Sequence, residues 1–167
     1  MSLQTLDKDA FAVRAGDISR DIFFIHSGLL RLFYTSADGK ERNKAFYGPG
    51  QVAGAVSAAI TAKAATFDIQ ALEPSVLVCA DFNQIYQHAY RNTDTSRVII
   101  ALLAEAFIRN EQREAMLLTL SAEQRYQWLL DKEPELVKSL PQFHIASYIG
   151  VDAVSLSRLK RKLKLGQ

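Results

Sequence analysis

Five cations crowd the last fifteen residues of this 167-residue chain: Arg158, Lys160, Arg161, Lys162 and Lys164, with no acid among them. A guanidinium offers a planar fork that matches two acceptors on a guanine edge or a phosphate, and an ammonium offers a point charge. A cluster of such side chains at one end of the chain is what a phosphate-binding surface requires. A lysine- and arginine-rich run is also an ordinary solvated helix face, so its meaning depends on what positions it.

The positioning signal lies just upstream, in Pro141-Gln142-Phe143-His144-Ile145-Ala146-Ser147-Tyr148-Ile149-Gly150-Val151-Asp152-Ala153-Val154-Ser155-Leu156-Ser157-Arg158-Leu159. Pro141 suits the first turn of a helix. Ile145, Ala146 and Ile149 fall on its inner face. Gly150 stands where that helix must stop in a left-handed conformation. Val151 fills the corner, and Asp152 can cap a second helix. Leu156, Leu159 and Leu163 recur on that helix at spacings of three and four. A small residue (Ala146), a glycine corner (Gly150) and an aliphatic closure (Leu156) are the packing of a helix-turn-helix. An ordinary helical hairpin is the plainer alternative, but here the basic cluster sits on the second helix and two separate signals coincide.

Other chemistries find little material. The lone Cys79 excludes an intrachain disulfide and a cysteine-ligated cluster built by one chain, and fits a buried strand position. His26, His88 and His144 are scattered and read as structural or surface residues, so no metal is expected. A cupin-type enzyme needs a His-x-His pair with a nearby Glu, which the chain lacks. No Gly-x-Ser-x-Gly elbow supports nucleophilic catalysis. The expectation is a protein that is not an enzyme.

The elements that carry these residues show in the periodicity. Gly16, Gly28, Gly39 and Gly50 punctuate the first third at intervals of 11 or 12. Between them lie β-rich runs such as Ile22–His26 and Leu29–Tyr34, and Ala37-Asp38-Gly39-Lys40 is a hairpin turn. Val52 to Ala65 turns to small residues and predicts a short helix or tight loop. Phe67–Ala71 and Val76–Ala80 read as two more strands, so the β part spans roughly residues 7–80. Asp81 can cap a helix over Phe82–Tyr90. Asp94, Thr95 or Ser96 can cap a long helix over residues 97–118. Its stretch Val98 to Ile108 is apolar on every side except at Glu105, which calls for cover on more than one side and predicts a homodimer through this helix, the plainer alternative being the central helix of a monomer. Ser121-Ala122-Glu123-Gln124 is a capping box for a further helix, which would bury Tyr126, Trp128 or Leu129, and Leu130. Glu133-Pro134-Glu135 opens a short one.

Charge is divided along the chain. Residues 1–120 carry 12 basic and 13 acidic side chains, so the net charge of +2 conceals a neutral body and a basic end. No apolar run approaches the roughly 20 residues of a membrane span, and no basic-then-apolar leader opens the sequence. A cytoplasmic protein without membrane contact is expected.

Taken in order, these parts resemble the Crp/Fnr family of bacterial transcriptional regulators over nearly the whole chain. Phe23-Phe24-Ile25-His26-Ser27-Gly28-Leu29-Leu30-Arg31 is similar to that family's early β-roll strands. Ala37-Asp38-Gly39-Lys40-Glu41 is similar to its hairpin, Ile69-Gln70-Ala71-Leu72-Glu73 to the strand leaving its effector pocket, and Ile145 through Leu159 to its helix-turn-helix. The resemblance implies an α+β chain with three parts. Residues 1–92 would form an antiparallel β-roll of the cyclic nucleotide-binding type, a jelly roll. Residues 93–119 would form the dimer helix. Residues 120–167 would form a winged-helix-like DNA-binding domain with its wing short or absent. It implies double-stranded DNA as partner, RNA polymerase as a further one, and a small-molecule effector.

By the same resemblance Ala153, Val154, Ser157 and Arg158 face base edges. Arg158 would bond a guanine, Ala153 and Val154 would meet a thymine methyl, and Ser155, Gln142, Lys160, Arg161, Lys162 and Lys164 would meet phosphates. The family's cyclic-AMP binders use a Gly-rich loop, a Glu for the ribose and an Arg for the phosphate. Here the pocket positions fall on Gly50, Gly54, Ala55, Lys63, Ala65 and Thr66. The Glu position is Ala55 and the Arg position Ala65, and Lys63 is the one lysine or arginine from Ala45 to Tyr90. A phosphate deprived of a fixed cation forfeits charge-assisted bonds of roughly 1.5–3 kcal/mol each. Weak or absent cyclic-AMP binding is expected, with no confident cofactor. The alternatives are an effector-independent regulator and a ligand-binding module that acts on a protein partner.

Overall fold

Every turn glycine of the first third adopts the left-handed conformation its spacing suggests: φ is +99° at Gly16, +98° at Gly28, +78° at Gly39 and +80° at Gly50. Between them the computed structural model, which describes residues 1–165 with side chains through residue 163, folds eight strands. These are β1 (Ser2–Leu6), β2 (Phe11–Val13), β3 (Asp21–Ser27), β4 (Leu30–Thr35), β5 (Glu41–Tyr47), β6 (Val52–Gly54), β7 (Asp68–Ala71) and β8 (Ser75–Asp81). They form two four-stranded sheets of order β1-β8-β3-β6 and β2-β7-β4-β5. Every pairing is antiparallel.

Consecutive strands β3 and β4 belong to different sheets, and so do β7 and β8. The two crossings touch: Leu72 N donates to Leu29 O at 2.8 Å. A Cβ on Gly28 would stand 2.1 Å from Ser75 Oγ. Gly28 is therefore required twice, by its positive φ and by the closeness of the second crossing.

Phe23, Ile25, Leu30, Leu32, Ile69, Ala71 and Leu77 meet between the sheets. Truncating one such buried aliphatic to alanine typically costs about 2–5 kcal/mol. The opposite face of β3 and β8 is covered as well, because Ile22 and Ala80 pack with Ala59 and Phe82. The small-residue stretch supplies β6 and a short helix α1 (Val56–Thr61), and its small side chains let the helix lie close.

One buried cation interrupts the second sheet. Arg31 Nε donates to Gln70 Oε1 at 2.8 Å, its Nη1 donates to Glu41 Oε2 at 2.6 Å, and its guanidinium lies 3.9 Å from the Phe33 ring centre. Gln70 Nε2 donates onward to Asp9 O at 2.9 Å. Arg31 and Gln70 face each other in register across β4 and β7, so the pair locks strand alignment.

Two elements depart from the periodicity. β1 was not expected, since its two leucines lie three apart and do not alternate. It forms because β8 offers an open edge, from Ser2 opposite Cys79 to Leu6 opposite Ser75. The β part therefore covers residues 2–81, not 7–80. The long helix α3 spans Thr93–Thr119 and starts ahead of the expected residue 97. Asn92 Oδ1 accepts from Thr95 N at 2.9 Å and so caps the helix, in place of Asp94, Thr95 or Ser96. The helix α2 (Phe82–Ala89) is capped by Asp81 as its sequence suggests.

The chain divides into two compact units, Met1–Ala104 and the part from Glu105 onward, with the division inside α3. The second unit continues through α4 (Ala122–Lys132), α5 (Pro134–Ser139), α6 (Gln142–Tyr148) and α7 (Ala153–Leu165). The capping box at Ser121 and Gln124 is present in both directions. Tyr126 and Leu129 are the buried residues of α4, and Trp128 and Leu130 are half-buried.

Gly28→Ala should lower the unfolding free energy of the β-roll by more than about 1 kcal/mol, because strain and collision add. Urea unfolding followed by circular dichroism measures it; an unchanged midpoint would contradict the crossing geometry.

Candidate nucleic-acid interface

α6 presents Ile145, Ala146 and Ile149 to the interior, along with His144 and Tyr148. Pro141 stands at its N-cap, one position earlier than the first turn, and its carbonyl accepts from His144 N at 3.0 Å. At the far end the chain closes in a Schellman turn. Gly150 has φ +72°, Gly150 N donates to Ser147 O at 3.3 Å, and Val151 N donates to Ala146 O at 3.0 Å. Asp152 then caps α7: Oδ1 accepts from Ser155 N at 2.7 Å and Oδ2 accepts from the Ser155 hydroxyl at 2.9 Å. These bonds, the backbone one first, hold the Asp152 carboxyl below its ordinary value. Leu156 is fully buried and closes α7 on α6.

α7 has thirteen residues, a rod of about 20 Å at 1.5 Å per residue. Leu156 is buried, and Leu159 and Leu163 are half-buried on the same side. Ala153, Val154, Ser157, Arg158, Arg161 and Lys162 are exposed and share the other side. That outer face carries three cations and no acid, within a helix that fits the width of a major groove. Four of the base-edge positions implied by the resemblance, Ala153, Val154, Ser157 and Arg158, therefore lie together in the first turns.

The positions assigned to phosphate are less uniform. Lys160 is half-buried and donates to Gln142 Oε1 at 2.8 Å, which joins the start of α6 to the middle of α7. Lys162 pairs with Glu123 Oε2 at 2.7 Å, a partner that the periodicity did not indicate. Ser155 spends its hydroxyl hydrogen on Asp152. The side chain of Lys164 lies outside the described residues.

Several supporting residues were invisible in the sequence. Arg113 Nη2 donates to Tyr148 O at 2.9 Å, and its guanidinium carbon lies 4.6 Å from the Tyr148 ring centre. Arg125 donates through Nε to Leu120 O at 2.9 Å and through Nη1 to Ile149 O at 3.2 Å. The Tyr148 hydroxyl donates to Glu133 Oε1 at 2.8 Å, and Glu133 faces Arg109 at 3.6 Å. Burial first, and the Glu133 carboxylate second, push the Tyr148 phenol far above its usual range. It therefore stays protonated and keeps donating. Apart from the bond from Arg125 to Leu120 O, these contacts join positions 15 to 35 residues apart, beyond the reach of any local pattern.

In the β-roll the pocket positions do not assemble into a polar site. Ala55 and Ala65 are packed in the hydrophobic core, and Lys63 and Thr66 are exposed. A Cβ on Gly54 would stand 2.8 Å from Ile22 Cγ2, so Gly54 serves strand packing. Gly50 is exposed in its turn. A groove of about 530 Å³ does open in this unit, but it is lined by others, among them Phe24, Ile85, His88, Val98, Ile99 and Leu102. Among the described residues no cluster of His, Cys, Asp and Glu could hold a metal ion. His26 and His88 are exposed, and His144 is buried with its ring centre 4.0 Å from that of Phe143. Cys79 is a buried thiol that donates to Gln4 Oε1, and burial raises its pKa. Among the described residues no helix is long and apolar enough to cross a membrane.

An antiparallel β-roll, a long helix and a C-terminal unit holding a helix-turn-helix define the architecture of Crp/Fnr-type regulators. The sequence profile of the cyclic nucleotide-binding domain matches residues 3–92, and the chain belongs to that family. Solved structures agree on the fold. FixK2 from Bradyrhizobium japonicum matches with a TM-score of 0.82 at 17% identity, over 99% of this chain and 85% of that one. The c-di-GMP-responsive global regulator CLP from Xanthomonas campestris matches with 0.75 at 19% identity, over 99% and 87%. A transcriptional regulator of the CRP family from Thermus thermophilus matches with 0.73 at 17% identity, over 98% and 85%. No curated protein matches the sequence.

The lowered pKa of Asp152 gives a signed pH dependence. Its contribution is complete above the ordinary carboxyl value of 3.8 and fades as pH falls through the lower folded value. Asp152→Asn keeps a capping oxygen without the titration. The wild-type melting temperature should therefore fall relative to this variant as pH drops below 3.8, and the difference should be constant above it. A constant difference at every pH would show that the carboxylate does not cap α7.

Proposed function

We propose that this chain is a homodimeric, sequence-specific DNA-binding transcriptional regulator of the Crp/Fnr type. It acts in the bacterial cytoplasm and is not an enzyme. The observation that carries the reading is the outer face of α7, which sets Arg158, Arg161 and Lys162 on one acid-free side of a helix held by a glycine corner. Insertion of this helix into the major groove puts Ala153, Val154, Ser157 and Arg158 toward base edges. Arg161 and Lys162 meet phosphates, with Lys162 exchanging Glu123 for the nucleic acid, and Lys160, Gln142 and Ser155 support the flanks. Charge neutralisation of this kind makes affinity steeply salt-dependent.

Dimerisation is supported by α3. Within the second unit Phe107 and Leu118 are 68% and 76% exposed along one side of the helix, with Ile108 beside them, and in the first unit Ile100 is 65% exposed. Large apolar groups left open at a helical spacing call for a second copy. In this scheme residues 1–92 form the effector-type roll, residues 93–119 the dimer helix and residues 120–167 the DNA-binding domain, with RNA polymerase as the downstream partner. The burial of Ala55 and Ala65 supports a roll that no longer holds cyclic AMP. It favours an effector-independent regulator or one that responds to a different small molecule.

Two outcomes test the reading. Arg158→Ala should weaken binding to a selected site by about 1–3 kcal/mol and relax base preference there, as read by site selection from a random pool. Retained preference would reject base reading by this residue. Phe107→Glu should convert the dimer to monomer in analytical ultracentrifugation and lower affinity for a two-half-site duplex far more than for a single half-site. A variant still dimeric would reject α3 as the seam.

A further inference from the structure

A helix leaves its last four carbonyls without intrahelical partners. In α6 these belong to Ala146, Ser147, Tyr148 and Ile149, and the structure accounts for all four. The Schellman turn takes the first two, through Val151 N and Gly150 N. Two arginines take the others: Arg113, from α3, donates to Tyr148 O, and Arg125, from α4, donates to Ile149 O. Both arginines are half-buried. The grip is redundant in direction. Arg113 also lies against the Tyr148 ring, and Arg125 also holds Leu120 O just beyond the end of α3. Arg125 Nη1 and Leu117 Cδ2 would each stand 3.2 Å from a Cβ on Gly150, so the corner rests directly on this support.

Stability alone asks for less. Water satisfies the last carbonyls of many helices, whereas drawing a guanidinium out of solvent carries a desolvation cost. Two cations from two helices, converging on the final two carbonyls before the turn, fix the point from which α7 departs. We propose that Arg113 and Arg125 are positioning residues for base reading: they set the angle and height of α7, so that Ala153 to Arg158 meet the base edges in register. This rests on the DNA-binding reading above. A displaced α7 keeps its cations near the phosphates, since ammonium and guanidinium groups on long stems tolerate a small shift. At base edges the short side chains of Ala153, Val154 and Ser157, and the two-bond geometry asked of Arg158, do not tolerate it. The clamp therefore governs selectivity and leaves general attraction to DNA almost untouched.

The full chain is first used to select a duplex from a random pool, and that duplex and a scrambled one of equal length are the probes. A wild-type chain that selects no sequence overturns the DNA-reading function and this inference with it. Given a selected duplex, Arg113→Ala and Arg125→Ala should each lower the ratio of selected to scrambled affinity at least tenfold. Affinity for the scrambled duplex should change less than threefold. Arg113→Lys, which keeps a donor and the charge, should recover most of the ratio. Parallel loss on both duplexes, or an unchanged ratio, overturns the clamp while leaving DNA binding intact. Should an alanine variant lose its helical circular dichroism, Arg125→Lys takes its place: Arg113 uses one nitrogen, which an ammonium can replace, whereas Arg125 bridges Leu120 O and Ile149 O through Nε and Nη1, a fork that lysine lacks. A ratio lowered at least tenfold supports the clamp, and an unchanged ratio overturns it.

Discussion

The chain reverses direction at Gly150 with no side chain to spare. Its φ of +72° suits glycine, and the space a Cβ would fill is bounded by Arg125 and Leu117 at 3.2 Å. A residue of any other type would strain the backbone and press on that support. From this one corner follow the end of α6, the start of α7 and the direction in which the basic face points. The inner side of the two helices is sealed by Ile145, Ile149 and Leu156, so the outer side is left to Arg158, Arg161 and Lys162. Apolar packing thereby decides which side of α7 carries the charges, while Arg113 and Arg125 hold the corner from which that helix departs.

The two units use buried polar groups for the same end. In the β-roll, Arg31 is consumed by Gln70, Glu41 and the Phe33 ring, and the result is strand register. In the second unit, Arg113 and Arg125 are spent on carbonyls, and the result is a fixed helix end. In each case a charge-assisted bond offsets desolvation and gives directionality that an aliphatic contact lacks. The positions that the resemblance assigns to a ribose-binding Glu and a phosphate-binding Arg are instead small and apolar. Ala55 and Ala65 fill the interior of the roll, which makes it a packed scaffold at that spot.

Much of this was legible in the sequence because it rests on local rules. Glycine spacing marked the turns, and Asp81 and Ser121 marked helix starts through their own side chains. The corner at Gly150 and the cap at Asp152 were equally local. Most of what the sequence did not announce depends on partners far along the chain. β1 exists because β8 has an open edge, and nothing within Ser2–Leu6 announces it. The cap at Asn92 was hidden by three equally suitable residues that follow it. Arg113, Arg125 and Glu133 look like ordinary surface charges until tertiary folding brings them to α6. The same holds for Glu123, whose pairing with Lys162 spans 39 positions.

The central claim is that the outer face of α7 is the surface that meets DNA. Amide chemical shifts of the full chain, followed during titration with a short duplex, test it most directly. The account predicts the largest shifts from Asp152 to Lys162, smaller ones at Gln142, and suppression of all of them by added salt. Shifts confined to the β-roll, or none at saturating duplex in low salt, would contradict it.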